Sequence, residues 1–105
     1  MSRQPIKILA IGRNAAIMEV MQRLINVPDK RSGVAVTTDE AAEAAWQKEA
    51  FDLVMLCAGI DEEAEKNLRN KIAQINPVTK VIRHYGGGSG LLENEIEAAL
   101  AVPGA

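Results

Sequence analysis

Phe51-Asp52-Leu53-Val54-Met55-Leu56-Cys57-Ala58 carries one polar residue near its start and then stays apolar to its end. A run this short, with no alternating polar side, predicts a strand covered on both faces, as in the middle of a parallel sheet. Upstream, Ile6-Lys7-Ile8-Leu9-Ala10-Ile11 has the same character and is closed by Gly12, which predicts a first strand. Between the two lies Val34-Ala35-Val36-Thr37-Thr38, a shorter β-branched stretch that predicts a second strand after a polar loop from Asp29 to Gly33. Downstream, Lys80-Val81-Ile82-Arg83-His84-Tyr85 follows Asn76-Pro77 and predicts a fourth.

The segments between these strands have helical spacing. Asn14 is expected to cap a helix carrying Met18, Met21 and Ile25, ended by Pro28. Asp39 is expected to cap the next, with Ala42, Ala45, Trp46 and Glu49 or Ala50 on its inner side, mostly small residues that let it lie close to a sheet. Asp61 begins a third, whose acidic first turns suit the positive end of the helix dipole and whose buried stripe is Ala64, Leu68, Ile72 and Ile75. Leu92, Ile96, Ala99 and Leu100 make the stripe of a last helix, before Pro103-Gly104.

Alternating strands and helices predict a three-layer α/β/α domain spanning 1–105, with right-handed crossovers and a doubly wound, flavodoxin-like parallel sheet in the order 2-1-3-4. The chain has 105 residues, 48% of them apolar and 25% charged. A domain of that size buries roughly 65% of its unfolded surface and needs no staple. One cysteine makes no internal disulfide, and no Cys or His spacing fits zinc, so a cytoplasmic setting without metal or cofactor is expected. A net charge of −2, with no basic run beyond Lys30-Arg31, speaks against nucleic acid. The N-terminal apolar stretch is broken by Lys7 and followed by Arg13-Asn14, which does not read as a signal peptide. The longest apolar run, Leu53 to Ile60, is far short of the roughly 20 residues of a membrane helix.

The succession from Lys7-Ile8-Leu9-Ala10-Ile11 to Phe51-Asp52-Leu53-Val54-Met55-Leu56 resembles the receiver domain of bacterial response regulators, and the resemblance extends from Ile6 to Leu100. It implies a signalling module. Receivers hold Mg²⁺ on an acidic pair after the first strand, accept phosphate on an aspartate after the third, and use a Ser or Thr after the fourth and a Lys after the fifth. Here Gly12-Arg13 stands for the acidic pair, Cys57 for the phosphoacceptor and Tyr85 most nearly for the hydroxyl, and the fifth strand is missing. Without those carboxylates there is no oxygen cage for Mg²⁺ and nothing to form an acyl phosphate. The expectation is a shortened, degenerate receiver that is not an enzyme.

In open α/β sheets ligands sit beyond the carboxyl ends of the strands where the strand order reverses. The alternative function is therefore an anionic-ligand domain, taking phosphate or a nucleotide on Gly12, Arg13 and Asn14 together with Gly87, Gly88 and Ser89. Glycines admit the ligand to backbone N–H groups, helix N-termini add positive charge, and Arg13 offers a bidentate fork. Neither Gly-x-Gly-x-x-Gly after the first strand nor Gly-x-x-x-x-Gly-Lys-Ser/Thr is present. A third reading makes Cys57 a nucleophile beside His84, against the plain one of a cysteine packed as a small hydrophobe. Finally, the fourth strand would be a sheet edge, either protected by the charges of Arg83 and His84 or, in a homodimer, pairing through Val81, Arg83 and Tyr85 with a second copy, unless the last helix packs against its mate instead.

Overall fold

The computed structural model describes residues 6–84 together with Ile96, Ala98 and Ala99. Its elements run β1 (Ile6–Ile11), α1 (Ala15–Leu24), β2 (Arg31–Val36), α2 (Asp39–Lys48), β3 (Leu53–Leu56), α3 (Glu62–Ile75) and β4 (Lys80–Arg83). All neighbouring strands are parallel, and the sheet order is β2-β1-β3-β4, the flavodoxin-like arrangement expected. Leu92 and Leu100 of the expected last helix lie outside the described residues. Ile96, Ala98 and Ala99 are helical, and Ile96 is buried.

Strand alternation divides the core in two. Ile8 and Ala10 of β1 and Leu53 and Met55 of β3 face α1, where they meet Met18, Met21, Ile25 and Ile96. Leu9, Ile11, Val54 and Leu56 face the other way, onto Ala42 and Trp46 of α2 and Leu68 and Ile72 of α3. Both faces are thus covered, which is why β1 and β3 tolerate no polar side.

Several expected boundaries move. β2 begins at Arg31, inside the stretch expected as a loop, because pairing with β1 starts at Ile6 opposite Arg31. An edge strand can admit such residues: Arg31 lies buried with its Nη2 on the Leu24 carbonyl (2.9 Å). α1 ends at Leu24 with Ile25 as C-cap, well before Pro28. Thr38, not Asp39, caps α2, its hydroxyl accepting the Ala41 N–H at 3.1 Å. β3 is confined to Leu53–Leu56, where it pairs on both sides, although Phe51 and Cys57 are also buried. β4 ends at Arg83, the last residue in register with β3. Ile75, expected in the buried stripe of α3, is exposed at the helix end, and Glu49 and Ala50 are exposed beyond α2.

Candidate functional site

The strand order reverses between β1 and β3, and the loops leaving them, Gly12-Arg13-Asn14 and Cys57-Ala58-Gly59, meet above the sheet. They close on each other. Cys57 N–H donates to the Ile11 carbonyl (2.7 Å) and Arg13 N–H to the Ala58 carbonyl (3.0 Å). A Cβ on Gly12 would stand 2.5 Å from the Met18 sulfur and 3.0 Å from the Cys57 Cβ, so the absent side chain lets α1 and β3 pack together. Gly59 takes φ +91°, a left-handed conformation open to glycine, and sits against Arg13, whose Cβ is 2.6 Å from where its own would be.

Of the six residues expected to bind an anion, Gly12, Arg13 and Asn14 are described and are engaged by the protein itself, Gly12 donating its N–H to the Val36 carbonyl (3.1 Å). Arg13 places Nη2 on Asp39 Oδ1 (2.8 Å) and Nη1 on the Thr37 carbonyl (3.3 Å). Asn14 Oδ1 accepts the Ile17 N–H at 3.0 Å and is used as the α1 N-cap. Asp39 is the residue that sequence reasoning missed here. Once Thr38 takes the capping role, the Asp39 carboxylate is left at the start of α2 to receive Arg13. Gly87, Gly88, Ser89 and Tyr85 lie outside the described residues.

Cys57 holds the position after β3 that the receiver resemblance gives to the phosphoacceptor. It is 1% exposed, with its sulfur 3.9 Å from the Met55 carbonyl, and it belongs to the α1-side core. A thiol so placed packs as a small hydrophobe. His84 continues the β4 ladder, donating its backbone N–H to the Leu56 carbonyl (2.9 Å). Among the described residues no group of three or more His, Cys, Asp or Glu side chains is placed to hold a metal, and no helix is long and apolar enough to cross a membrane.

The sheet edges differ more than the sequence suggests. On β2, Ile6 N–H donates to Lys30 O and Gly12 N–H to Val36 O, each at 3.1 Å, so the even-numbered residues face β1 and Arg31, Gly33 and Ala35 turn outward. Every outward N–H is used. Arg31 exchanges two backbone hydrogen bonds with Val27, at 2.9 and 3.0 Å. Gly33 N–H donates to Asn26 Oδ1 (3.1 Å), and Ala35 N–H to Gln22 Oε1 (2.7 Å). The Gly33 carbonyl accepts from both amides, Gln22 Nε2 and Asn26 Nδ2, each at 3.0 Å.

On β4, Lys80 N–H donates to Asp52 O (3.2 Å) and His84 N–H to Leu56 O, so Val81 and Arg83 turn outward. The Val81 carbonyl accepts from Arg69 Nη1 at 3.1 Å. Among the described residues no partner meets the N–H of Val81 or the N–H and C=O of Arg83. The Arg83 side chain leaves the edge for α3, pairing with Glu65 (2.7 Å) and the Ile60 carbonyl. Glu65 also accepts from Arg69 Nε at 2.8 Å, and the Arg69 hydrogen bond, with the charges of Arg69 and Arg83, holds its carboxyl below the ordinary glutamate value despite opposing desolvation.

A cavity of about 320 Å³ opens at the opposite end of the molecule, between the ends of α2 and α3, lined among others by Trp46, Phe51, Val54, Ile72 and Thr79. It lies at the amino ends of the strands, away from the crevice. No family model, curated protein or solved structure matches the chain, and the sheet order establishes the flavodoxin-like α/β fold alone.

Proposed function

We propose that this chain is a non-catalytic, receiver-like interaction module that assembles with a second copy of itself through the outer edge of β4. The observation that carries the reading is the contrast between the two edges: β2 has its outward N–H groups bonded within the chain, while those of Val81 and Arg83 on β4 meet no partner among the described residues. Antiparallel pairing about a two-fold axis at Ile82 sets Val81 of one copy against Arg83 of the other, a hydrogen-bonded pair. Arg69 occupies one lone pair of the Val81 carbonyl and leaves the second for the incoming N–H. With Arg83 drawn onto Glu65, like charges do not meet across the axis. The receiver resemblance puts such a module in signalling, without aspartyl phosphorylation, since Cys57 is no acyl-phosphate former. The anionic-ligand alternative is weaker because its cation, Arg13, is held by Asp39.

Light scattering on purified wild type, Arg83→Ala, Arg83→Pro and Ile82→Pro tests this. The alanine variant removes only the side chain, so its difference from proline isolates the outward N–H. Wild type and Arg83→Ala are expected as dimers and Arg83→Pro as a folded monomer. Ile82→Pro removes an inward donor and is expected to destabilise the fold itself. Equal association of Arg83→Ala and Arg83→Pro, or a wild type that stays monomeric at every concentration, overturns the reading.

A further inference from the structure

We infer that the outer edge of β2 is a masked strand-addition site, kept shut by Gln22 and Asn26, and that its release lets this edge take β4 of a second copy head to tail. The inference rests on the β4-edge reading and adds what decides the form of assembly.

Gln22 and Asn26 are four residues apart, at the end of α1 and just after it, and both face the same stretch of β2. Each carboxamide has a donor and an acceptor, as a peptide group does. Asn26 accepts the Gly33 N–H and donates to the Gly33 carbonyl; Gln22 donates to that carbonyl and accepts the next outward N–H, at Ala35. Asn26 is itself fixed by donating to the Gln22 carbonyl at 2.7 Å. The two side chains thus stand where the backbone of an added strand would run. Beneath them are a glycine and an alanine, which would not obstruct a backbone approaching the sheet.

The occupant that fits is the other edge of the same sheet. Val81 and Arg83 present outward N–H groups two residues apart, the interval between Gly33 and Ala35. Pairing β4 to β4 uses one surface twice and closes on itself, whereas pairing β4 to β2 joins two different surfaces and leaves a free edge of each kind at the ends. Gln22 and Asn26 therefore separate a closed pair from an open chain.

The test is sedimentation velocity of the full chain carrying Gln22→Ala and Asn26→Ala, over a range of concentrations, with amide hydrogen exchange at Gly33 and Ala35. The expected result is species larger than a dimer that grow with concentration, and loss of that growth when Arg83→Pro is added. In this triple variant the Gly33 and Ala35 amides should lose their protection. A folded double variant that keeps the wild-type mass at all concentrations overturns the inference, and so do Gly33 and Ala35 amides as protected as in wild type when no larger species forms. If the double alanine variant does not fold, Gln22→Ser with Asn26→Ser decides in its place, because the shorter side chains keep a polar surface but withdraw both the donors and the acceptors from Gly33 and Ala35. A monomeric wild type counts against the two-fold β4 pairing alone; growth of the double variant then still upholds the masked β2 edge.

Discussion

Asn26 meets Gly33 as a neighbouring strand would, its Oδ1 taking the Gly33 N–H at 3.1 Å and its Nδ2 giving a hydrogen bond to the Gly33 carbonyl at 3.0 Å. Water can replace both at this exposed edge, so the net contribution is at the modest end for hydrogen bonds. Asn26→Ala is expected to cost about 1 kcal/mol in urea unfolding, with the larger consequence in hydrogen exchange at Gly33.

Gly59→Ala is expected to cost more than its small size suggests. The residue sits at φ +91°, and an added methyl would lie 2.6 Å from the Arg13 Cβ, so both backbone strain and collision oppose it. A loss of about 1–3 kcal/mol is expected from the shift in the urea midpoint; an unchanged midpoint would mean that the two loops do not close on each other as described.

What was legible in the sequence was what depends on one element at a time. The apolar runs of β1 and β3 announce burial on both faces, and Asn14 and Asp61 cap the helices expected of them, accepting the N–H of Ile17 and Ala64. Features that depend on how elements meet were not. Arg31 and Ser32 look like loop residues until β1 supplies a register that carries them into β2. Nothing in the sequence singles out Gln22 and Asn26, and only the outward turn of Gly33 and Ala35 gives them partners. Arg13 reads as a free fork for an anion until α2 is seen to begin beside it with Asp39.

Cys57 should resist alkylation. At 1% exposure in the α1-side core, it is reached by iodoacetamide only when the structure opens. Modification in the native protein is expected to be far slower than in urea, and to speed up in the destabilised Gly59→Ala variant. Rapid reaction of the folded protein at neutral pH would bring the nucleophile reading back.

Arg13 and Asp39 form a partly exposed pair at 2.8 Å, for which a double-mutant cycle is expected to return about 0.2–1 kcal/mol. Inorganic phosphate titrated into the wild-type protein should leave the Arg13 and Asn14 amide resonances unmoved, because it would have to displace the Asp39 carboxylate and the Asn14 cap. A saturable shift would restore the crevice as an anion site.

Glu65 ties the acid stability of the fold to its open edge. Its carboxyl is held below the ordinary value, first by the hydrogen bond from Arg69 and then by the charges of Arg69 and Arg83, so it stabilises the folded state while ionised. That contribution is present above its unfolded-state pKa and is lost as pH falls through the lower folded value. Lys71 works in the opposite sense: the Glu43 hydrogen bond raises its pKa, and its contribution is full below the unfolded value and lost as pH rises through the folded one. Both are therefore in place at neutral pH. In Glu65→Gln the urea midpoint should fall less steeply with acid than in wild type, and the difference should shrink in high salt, which screens an exposed pair. Since Glu65 also steadies the Arg69 guanidinium on the Val81 carbonyl and draws Arg83 away from the edge, the same substitution should alter β4 association at neutral pH, where wild type is fully ionised. Parallel acid limbs for the two proteins would show that the paired arginines do not lower the Glu65 pKa in solution.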